Sequence, residues 1–233
     1  WNDSNGYVLY AMLKKEFNFL EPFSTAMGSM TFNNSEPRIK CFGVDSSNNP
    51  IASKNVEVLF YNSEDDFAIK LTTKSNDEVI FYKNPKGTTF NEIYENMNNE
   101  SNKYTGSRSF KNVDEFKAPN LEFDEKKDYT ELANKEFKTA DPYYDTAEIQ
   151  KAIQTIKFSL DEKGGEIKSE AAIDMTASVT SVVSKPKADE PRYFYVDDTF
   201  AIFLRETKGQ EKREKGKTKP YFAGRIDDIT KFQ

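Results

Sequence analysis

Apolar and polar residues alternate along a long stretch in the C-terminal half of the chain. The run Ile156–Leu160 places apolar residues at every second position, which predicts a β-strand with one buried face. The next residues, Asp161–Gly165, combine acids with two adjacent glycines, and this composition is typical of a tight turn. From Gly165 to Val179 the alternation resumes, and it continues for far longer than an ordinary strand of roughly 5–6 residues.

The stretch from Gly165 to Val179 has one narrow, mostly apolar side and one mostly polar side. Many of its residues have low intrinsic strand propensity, so the segment can form a strand without being compelled to. Two interpretations stay open: a hairpin arm that is permanently paired, and a loop that can enter a sheet as an additional strand. The narrow side consists of Gly165, Ile167, Ser169, Ala171, Ile173, Met175, Ala177 and Val179.

The remaining pattern predicts an α+β fold that is predominantly β, with large antiparallel or mixed sheets and a few short helices. Two helices are expected, Thr88–Met97 with a threonine cap and Tyr129–Phe137. Phe110–Phe123 is strand-like around Pro119, which favours an edge or a bulge. Strands are expected at Tyr7–Leu13, where a helix competes, and at Met30–Phe32, Pro37–Phe42, Val56–Tyr61, Phe67–Leu71 and Glu78–Tyr82, with a closing hairpin of Asp197–Arg205 and Pro220–Ile226.

Composition narrows the classes of function. The chain has 233 residues, a net charge of -6 and a pI near 5.0, and an acidic chain is poorly suited to nucleic-acid binding, which depends on cationic side chains. No apolar run approaches the roughly 18 residues of a membrane span, and no cofactor is expected. Cys41 is the single cysteine, so it forms no internal disulfide and is expected to serve packing. The chain begins at Trp1, which favours a removed leader or a start partway through a longer protein.

The chain contains no histidine, and this excludes several catalytic arrangements. Ser-His-Asp and Cys-His nucleophile systems and histidine metal sites of the HExxH kind cannot be built without it. Three pairs of adjacent aspartates remain, at Asp65–Asp66, Asp197–Asp198 and Asp227–Asp228. Neighbouring residues of a strand point to opposite faces, so these pairs are expected in turns or at strand ends rather than in a catalytic site.

Five segments in the same order resemble the serpins. Asp161–Gly165 resembles the hinge at the base of the serpin reactive loop, and Val113–Pro119 is similar to the segment that enters the last strands of the main sheet. The match corresponds to the C-terminal part of a serpin, so an N-terminal portion or a partner chain is expected to be missing. The other three segments resemble the central strand and its exit, the two core strands with the helix after them, and the closing strands. They are Leu9–Phe23, then Val56–Tyr82 with Thr88–Met97, and Phe200–Leu204 with Phe222–Ile226.

The chain also departs from the serpin pattern. Counting from the hinge, Gln154 stands where serpins usually carry a histidine of the main sheet, and Ala11 or a neighbour replaces its asparagine partner. Phe19 occupies the place of an expected tryptophan. Ile167 is bulkier than the small residues usual there, and overpacking of about 1–3 kcal/mol would slow insertion of the loop.

The resemblance implies a protease inhibitor rather than an enzyme. In serpins a protease cleaves the reactive loop, which then inserts into the main sheet as a new strand. It implies one domain over 1–233 with a reactive loop at about 162–196, a hinge at Glu162, Gly164 and Gly165, and secretion. The inserting face would consist of six residues of the narrow side: Ile167, Ser169, Ala171, Ile173, Met175 and Ala177. A non-inhibitory binding or structural role is the alternative.

The resemblance also implies a serine protease as partner. Counting from the hinge places the bond that it cleaves at Ser178–Val179, whereas counting back from Thr199 places it near Asp189. Valines suit an elastase-like protease, whereas Lys185 suits a trypsin-like one, although Pro186 disfavours cleavage there. The candidate scissile region consists of Ser178, Val179, Val182, Val183 and Lys185.

Overall fold

Three β-sheets and one long helix form the described part of the chain. The predicted α+β class with predominating β-structure is confirmed in a computed structural model. Short 3-10 helices cover Ala52–Asn55, Thr130–Leu132 and Ile229–Lys231. The structure describes residues 2–3, 6–12, 15–45, 51–75, 77–138, 146–167, 190–206 and 219–232.

The largest sheet has seven strands within these ranges, and the candidate site lies in it. The strands are β1 (Asn2–Asp3), β2 (Gly6–Met12), β3 (Lys15–Asn18), β10 (Leu121–Asp128), β11 (Lys135–Lys138), β12 (Thr146–Leu160) and β13 (Gly164–Ile167). Their order is β1-β2-β12-β13-β3, and β10 and β11 pair with β12 as well. The parallel pairing of β2 with β12 makes the sheet mixed, while the other pairings are antiparallel.

A four-stranded and a five-stranded sheet complete the fold. The four-stranded sheet, in the order β14-β9-β5-β4, consists of β4 (Ser29–Phe32), β5 (Ser35–Val44), β9 (Glu115–Pro119) and β14 (Tyr193–Tyr195). The five-stranded sheet, in the order β16-β15-β8-β7-β6, consists of β6 (Val56–Ser63), β7 (Asp66–Thr72), β8 (Asp77–Lys83), β15 (Phe200–Glu206) and β16 (Phe222–Ile226). The expected closing hairpin is present as β15 and β16.

Phenylalanine rings join the sheets into one core. Phe19 meets Phe23 with ring centroids 4.9 Å apart, and Phe23 meets Phe116 of the four-stranded sheet at 5.5 Å. Phe116 in turn lies 6.2 Å from Phe81 of the five-stranded sheet. Phe17 of β3 extends this row to the seven-stranded sheet, with its ring centroid 6.4 Å from that of Phe19. Edge-to-face and tilted aromatic pairs of this kind contribute beyond their buried area, so the three sheets are coupled through a continuous aromatic row.

Two sequence predictions are corrected by the structure. The segment Tyr129–Phe137 is not an amphipathic helix: it holds the short 3-10 helix at Thr130–Leu132, followed by β11. Asn134 between them has φ of +62°, which interrupts a right-handed helix, and the backbone of β11 pairs with β12. Pro119 is not on an edge strand but ends β9, an inner strand, at a position that β14 does not reach.

The helix α1 (Phe90–Lys103) begins with a capping box. The hydroxyl of Thr89 accepts from the backbone N–H of Glu92, and the carboxylate of Glu92 accepts from the backbone N–H groups of Thr88 and Thr89. These bonds satisfy N–H groups that have no partner within the helix. Ile93, Tyr94 and Met97 then face the five-stranded sheet as the buried side of the helix.

Removing the cap should weaken the protein measurably. We expect Thr89→Ala to lower the free energy of unfolding by about 1 kcal/mol, because α1 loses the hydroxyl oxygen that accepts from the backbone N–H of Glu92. Urea denaturation followed by circular dichroism measures the change. Thr105→Ala, an exposed threonine beyond the helix, is the matched control, and equal stability of the two variants would contradict the role of the cap.

Candidate functional site

A tight turn joins β12 to β13 and forms the base of the site. The carboxylate of Asp161 accepts from the backbone N–H of Lys163 at 2.8 Å and of Gly164 at 3.2 Å. The backbone N–H of Asp161 donates to the carbonyl of Gly164 at 2.8 Å and closes the turn. An aspartate that bonds the backbone two and three residues ahead is a recurrent turn device, so this sequence fixes the turn locally.

The same turn is tied to the chain that follows β3. The carbonyl of Lys163 accepts from the backbone N–H of Phe19, and the carbonyl of Glu162 accepts from that of Phe23, both at 2.8 Å. The carboxylate of Glu162, which is half-buried, lies 3.7 Å from the ammonium of the exposed Lys163. Two backbone hydrogen bonds and the turn itself therefore hold the hinge in place, while its charged side chains contribute little.

Strand β13 stands between β12 and β3 as a wedge. Glu166 pairs with Ser159 of β12 on one side and with Glu16 of β3 on the other. Farther along β12 there is no intervening strand, and β2 pairs with it directly from Tyr7 to Met12. Neighbouring strands lie about 4.8 Å apart, so the wall made by β2 and β3 stands one strand-width farther from β12 at β3 than at β2. We call this divergence the fork.

The two glycines of the predicted hinge are required by the space around them. A Cβ at Gly165 would lie 2.3 Å from the ring of Phe17, and one at Gly164 would lie 2.1 Å from the carbonyl oxygen of Phe17. Gly164 also has φ of +150°, in a region that side chains disfavour. Phe17 is buried beside Phe19 at 6.4 Å, so the side of Gly165 that lacks a side chain faces the core.

The far end of the segment is held by a buried ion pair. The guanidinium of Arg192 contacts the carboxylate of Asp114 at 2.6 Å, and Asp114 is fully buried. Arg192 also donates to the carbonyls of Ser107 and Ser109 at 2.8 Å. Burial alone would lower the pKa of Arg192, but the hydrogen bond and the charge of Asp114 raise it above its ordinary value. Arg192 thus anchors the chain just before β14.

The structure brings some of the predicted site residues together and leaves the others outside its description. Glu162, Gly164 and Gly165 form the turn and the start of the wedge, and Ile167 is the last residue of β13. The remaining predicted residues of the inserting face and of the scissile region, from Ser169 to Lys185, lie outside the described residues. They belong to the span 168–189, which connects β13 to the chain before β14.

Other features of the site were not predicted from the sequence. The aromatic partner of the glycines, Phe17, and the pair of Asp114 with Arg192 carry no short-range motif. Phe17 could have been suspected from the alternation in Lys15–Asn18. Gln154 of β12 and Ala11 of β2, which counting along the sequence alone had placed as a pair, are register partners in the sheet.

Two of the aspartate pairs meet around a buried lysine. The ammonium of Lys83 lies 2.6 Å from Asp197 and 3.1 Å from Asp65, and Lys83 is only 3% exposed. Burial alone would lower the pKa of Lys83, but the hydrogen bonds and charges of the two aspartates raise it. These carboxylates compensate a buried charge, which is a structural use of acids that are distant in sequence.

Comparison with known proteins identifies the fold. No protein-family model and no curated protein sequence matches the chain. Among solved structures, a serpin from the trematode Schistosoma haematobium matches with 13% identity and a TM-score of 0.53, over 92% of this chain and 54% of that one. Human glycosylated kallistatin matches with 15% identity and a TM-score of 0.52, over 91% of this chain and 53% of that one.

Thyroxine-binding globulin in complex with thyroxine also matches, with 10% identity and a TM-score of 0.52, over 91% of this chain and 54% of that one. The predicted resemblance is thereby confirmed at the level of the fold: the chain has a serpin-like fold. It spans about half the length of the solved serpins that it matches. Within the described residues no helix is both long and apolar enough to cross a membrane.

A methyl group at position 165 should disturb the wedge. We expect Gly165→Ala to lower the free energy of unfolding by about 1–3 kcal/mol, because its Cβ meets the buried ring of Phe17. Urea denaturation of the variants in a double-mutant cycle with Phe17→Leu measures the coupling. In the Phe17→Leu background the cost of Gly165→Ala should shrink, and an unchanged cost in that background would show that the two residues do not conflict.

Breaking the anchor at the far end should be more costly. We expect Arg192→Met to lower the free energy of unfolding by about 3–5 kcal/mol, because Asp114 is left as a buried, uncompensated charge. Denaturant unfolding measures this, and Arg225→Met, which removes an exposed ion pair with Asp227, is the control. Adding Asp114→Asn to Arg192→Met should recover part of the loss, and no recovery would argue against the unpaired carboxylate as its cause.

Proposed function

We propose that the chain is a serpin-type protease inhibitor that acts by cleavage of a reactive loop and its insertion into the seven-stranded sheet. The observation that carries the proposal is the fork, where β13 already occupies the place of an added strand. The reactive loop spans about residues 162–196 in one serpin-like domain over 1–233. No residue is assigned a catalytic role. A target protease is the partner, and secretion rests on the serpin resemblance.

The registers on both sides of the wedge support continued insertion. Gln154 and Ala11 now face each other, and extension of β13 along either wall would bring residue 171 opposite both of them. The same agreement holds for Thr155 and Met12 with residue 170. A strand could therefore extend without either wall sliding along its axis, because each β2–β12 pair only has to separate sideways. The walls keep this agreement as far as Lys151, where a register shift interrupts the β2–β12 ladder.

The alternation of the sequence suits this geometry. Gly165 presents its bare side to Phe17, so residues of the same parity would face the core in an extended strand. Ser169, Ala171 and Ile173 have this parity and are small or apolar. Charged residues of the opposite parity, such as Lys168 and Glu170, would face away from it. The partner would then be a serine protease of elastase-like or trypsin-like preference, because Val182, Val183 and Lys185 lie in the segment that it would cleave.

A second candidate function is a non-inhibitory serpin-like protein that binds a ligand or serves a structural role. Ile167 favours it, since a bulky residue early in the wedge slows insertion, and slow insertion lets a protease complete hydrolysis and leave. The match to thyroxine-binding globulin shows that a binding protein shares this fold. The two candidates differ in one physical property, namely whether a cleaved loop enters the sheet.

The inhibitor function predicts a covalent product. We expect incubation of the full-length protein with pancreatic elastase or with trypsin to give an SDS-stable complex of inhibitor and protease, because insertion traps the protease before hydrolysis is complete. Gel electrophoresis detects it, and a protease whose active-site serine is blocked is the control. Ile167→Ala should increase the fraction of complex over nicked protein, because the small residue relieves overpacking.

A thermal melt separates the two candidates when no complex forms. If cleavage raises the unfolding midpoint sharply, the loop inserts and the wrong protease was chosen. If the nicked protein melts at the midpoint of the intact one, insertion does not occur and the binding or structural function replaces inhibition. Gly165→Glu, which places a charged side chain against Phe17, is a control that should prevent the rise in midpoint.

A further inference from the structure

Where the fork is widest, the strand that faces β12 across β13 is β3, which is short and has few pairing partners in its own sheet. β3 has four residues and, in the described part of the chain, pairs only with β13. β13 in turn shares only two residue pairs with β12, at Ser159 and Leu160. Backbone pairing within the sheet is therefore a weak restraint on β3, and something outside the sheet has to keep it one strand-width from β12.

One end of β3 is held by backbone contacts with the connection between β7 and β8. The carbonyl of Asn18 accepts from the backbone N–H of Lys74 at 2.7 Å, and Phe19 forms a bridge with Thr73. These contacts fix the end of β3 that is next to the hinge turn. They leave open what fixes its other end, which lies at the fork.

Lys15 fixes the end at the fork. It is the first residue of β3 and the register partner of Ile167, the last residue of the wedge. Its ammonium lies 2.7 Å from the carboxylate of Asp77, which begins β8 and is 1% exposed. It also pairs with Glu206 at the end of β15, and lies 4.6 Å above the ring of Tyr221, just before β16. One side chain thus connects β3 with two strands of the five-stranded sheet, β8 and β15, and with the residue that precedes β16.

The surroundings of Lys15 keep these contacts charged and ordered. Burial alone would lower the pKa of Lys15, but the hydrogen bonds to Asp77 and Glu206 raise it above its ordinary value. The second carboxylate oxygen of Asp77 accepts from the hydroxyl of Ser75 at 2.5 Å, and its backbone N–H donates to the hydroxyl of Thr73 at 2.9 Å. Asp77 is therefore a fixed acceptor rather than a mobile surface acid.

We propose that Lys15 is a positioning residue that keeps the fork open: its links to Asp77, Glu206 and Tyr221 hold β3 away from β12, so that the hinge can occupy the space between them. Without these links β3 would be free to move relative to β12, and the pairing of β13 with both walls would weaken. This inference concerns how firmly residues 164–167 are held between β12 and β3. Only its consequence for protease inhibition rests on the proposed function.

Hydrogen exchange of the full chain, measured by mass spectrometry, tests the proposal. In Lys15→Met we expect the backbone N–H groups of residues 164–167 to exchange about tenfold faster or more, while those of β7 and β8 stay protected. Lys157→Met is the control, because it removes a lysine with an exposed ion pair on the opposite wall. Lys15→Arg, which preserves the charge, should retain most of the protection.

A second variant keeps the test decisive if Lys15→Met does not fold. The pair Lys15→Met and Asp77→Asn removes the link without leaving a buried carboxylate uncompensated. The proposal predicts the same fast exchange at residues 164–167 in this folded variant. Wild-type protection there would overturn the proposal, and so would protection lost equally in β7 and β8. Because no protease is used, these results are independent of whether the chain inhibits one.

Discussion

The structure depends on the way in which β12 is shared. Between Ile149 and Thr155 this strand is paired directly with β2, but at its end it is paired with β13, which stands between it and β3. A sheet cannot keep one strand spacing on one side of such a point and two spacings on the other unless the diverging wall is anchored elsewhere. The aromatic row through Phe17, Phe19 and Phe23 and the polar contacts of Lys15 supply that anchorage from the core and from the five-stranded sheet.

The glycine at position 165 allows β13 to pair with β3 while Phe17 of β3 stays packed in the core. The ring of Phe17 occupies the space where a side chain at position 165 would lie, so the wedge fits beside it only without a Cβ. A larger residue there would have to displace an aromatic side chain that belongs to the row joining all three sheets. The conformation of the chain at Gly165 and the packing of the core therefore depend on the same contact, the one between Gly165 and Phe17 on the adjacent strand.

Much of the fold could be predicted from the sequence, and the reasons for the failures are physical. The pattern of apolar residues and the helix cap are local properties of the sequence, so they predict individual elements well. Examples are the strands Val56–Ser63 and Asp77–Lys83 and the helix after Thr89. The helix expected at Tyr129–Phe137 failed because pairing of β11 with β12 overrides local propensity. The tight turn could be recognised from Asp161–Gly165. The ion pairs of Lys15 and Arg192 could not, since each joins positions that only the folded chain brings together.

The anchoring of β14 has a consequence for the integrity of the molecule. Residues after position 189 contribute β14 to the four-stranded sheet and β15 and β16 to the five-stranded sheet, where β15 lies between β8 and β16. Cleavage of a peptide bond between residues 168 and 189 would therefore break the chain, but the two fragments would stay associated. The two pieces would remain interleaved, with the Arg192–Asp114 pair bridging them, and would migrate together in size-exclusion chromatography while resolving into two fragments under denaturing conditions.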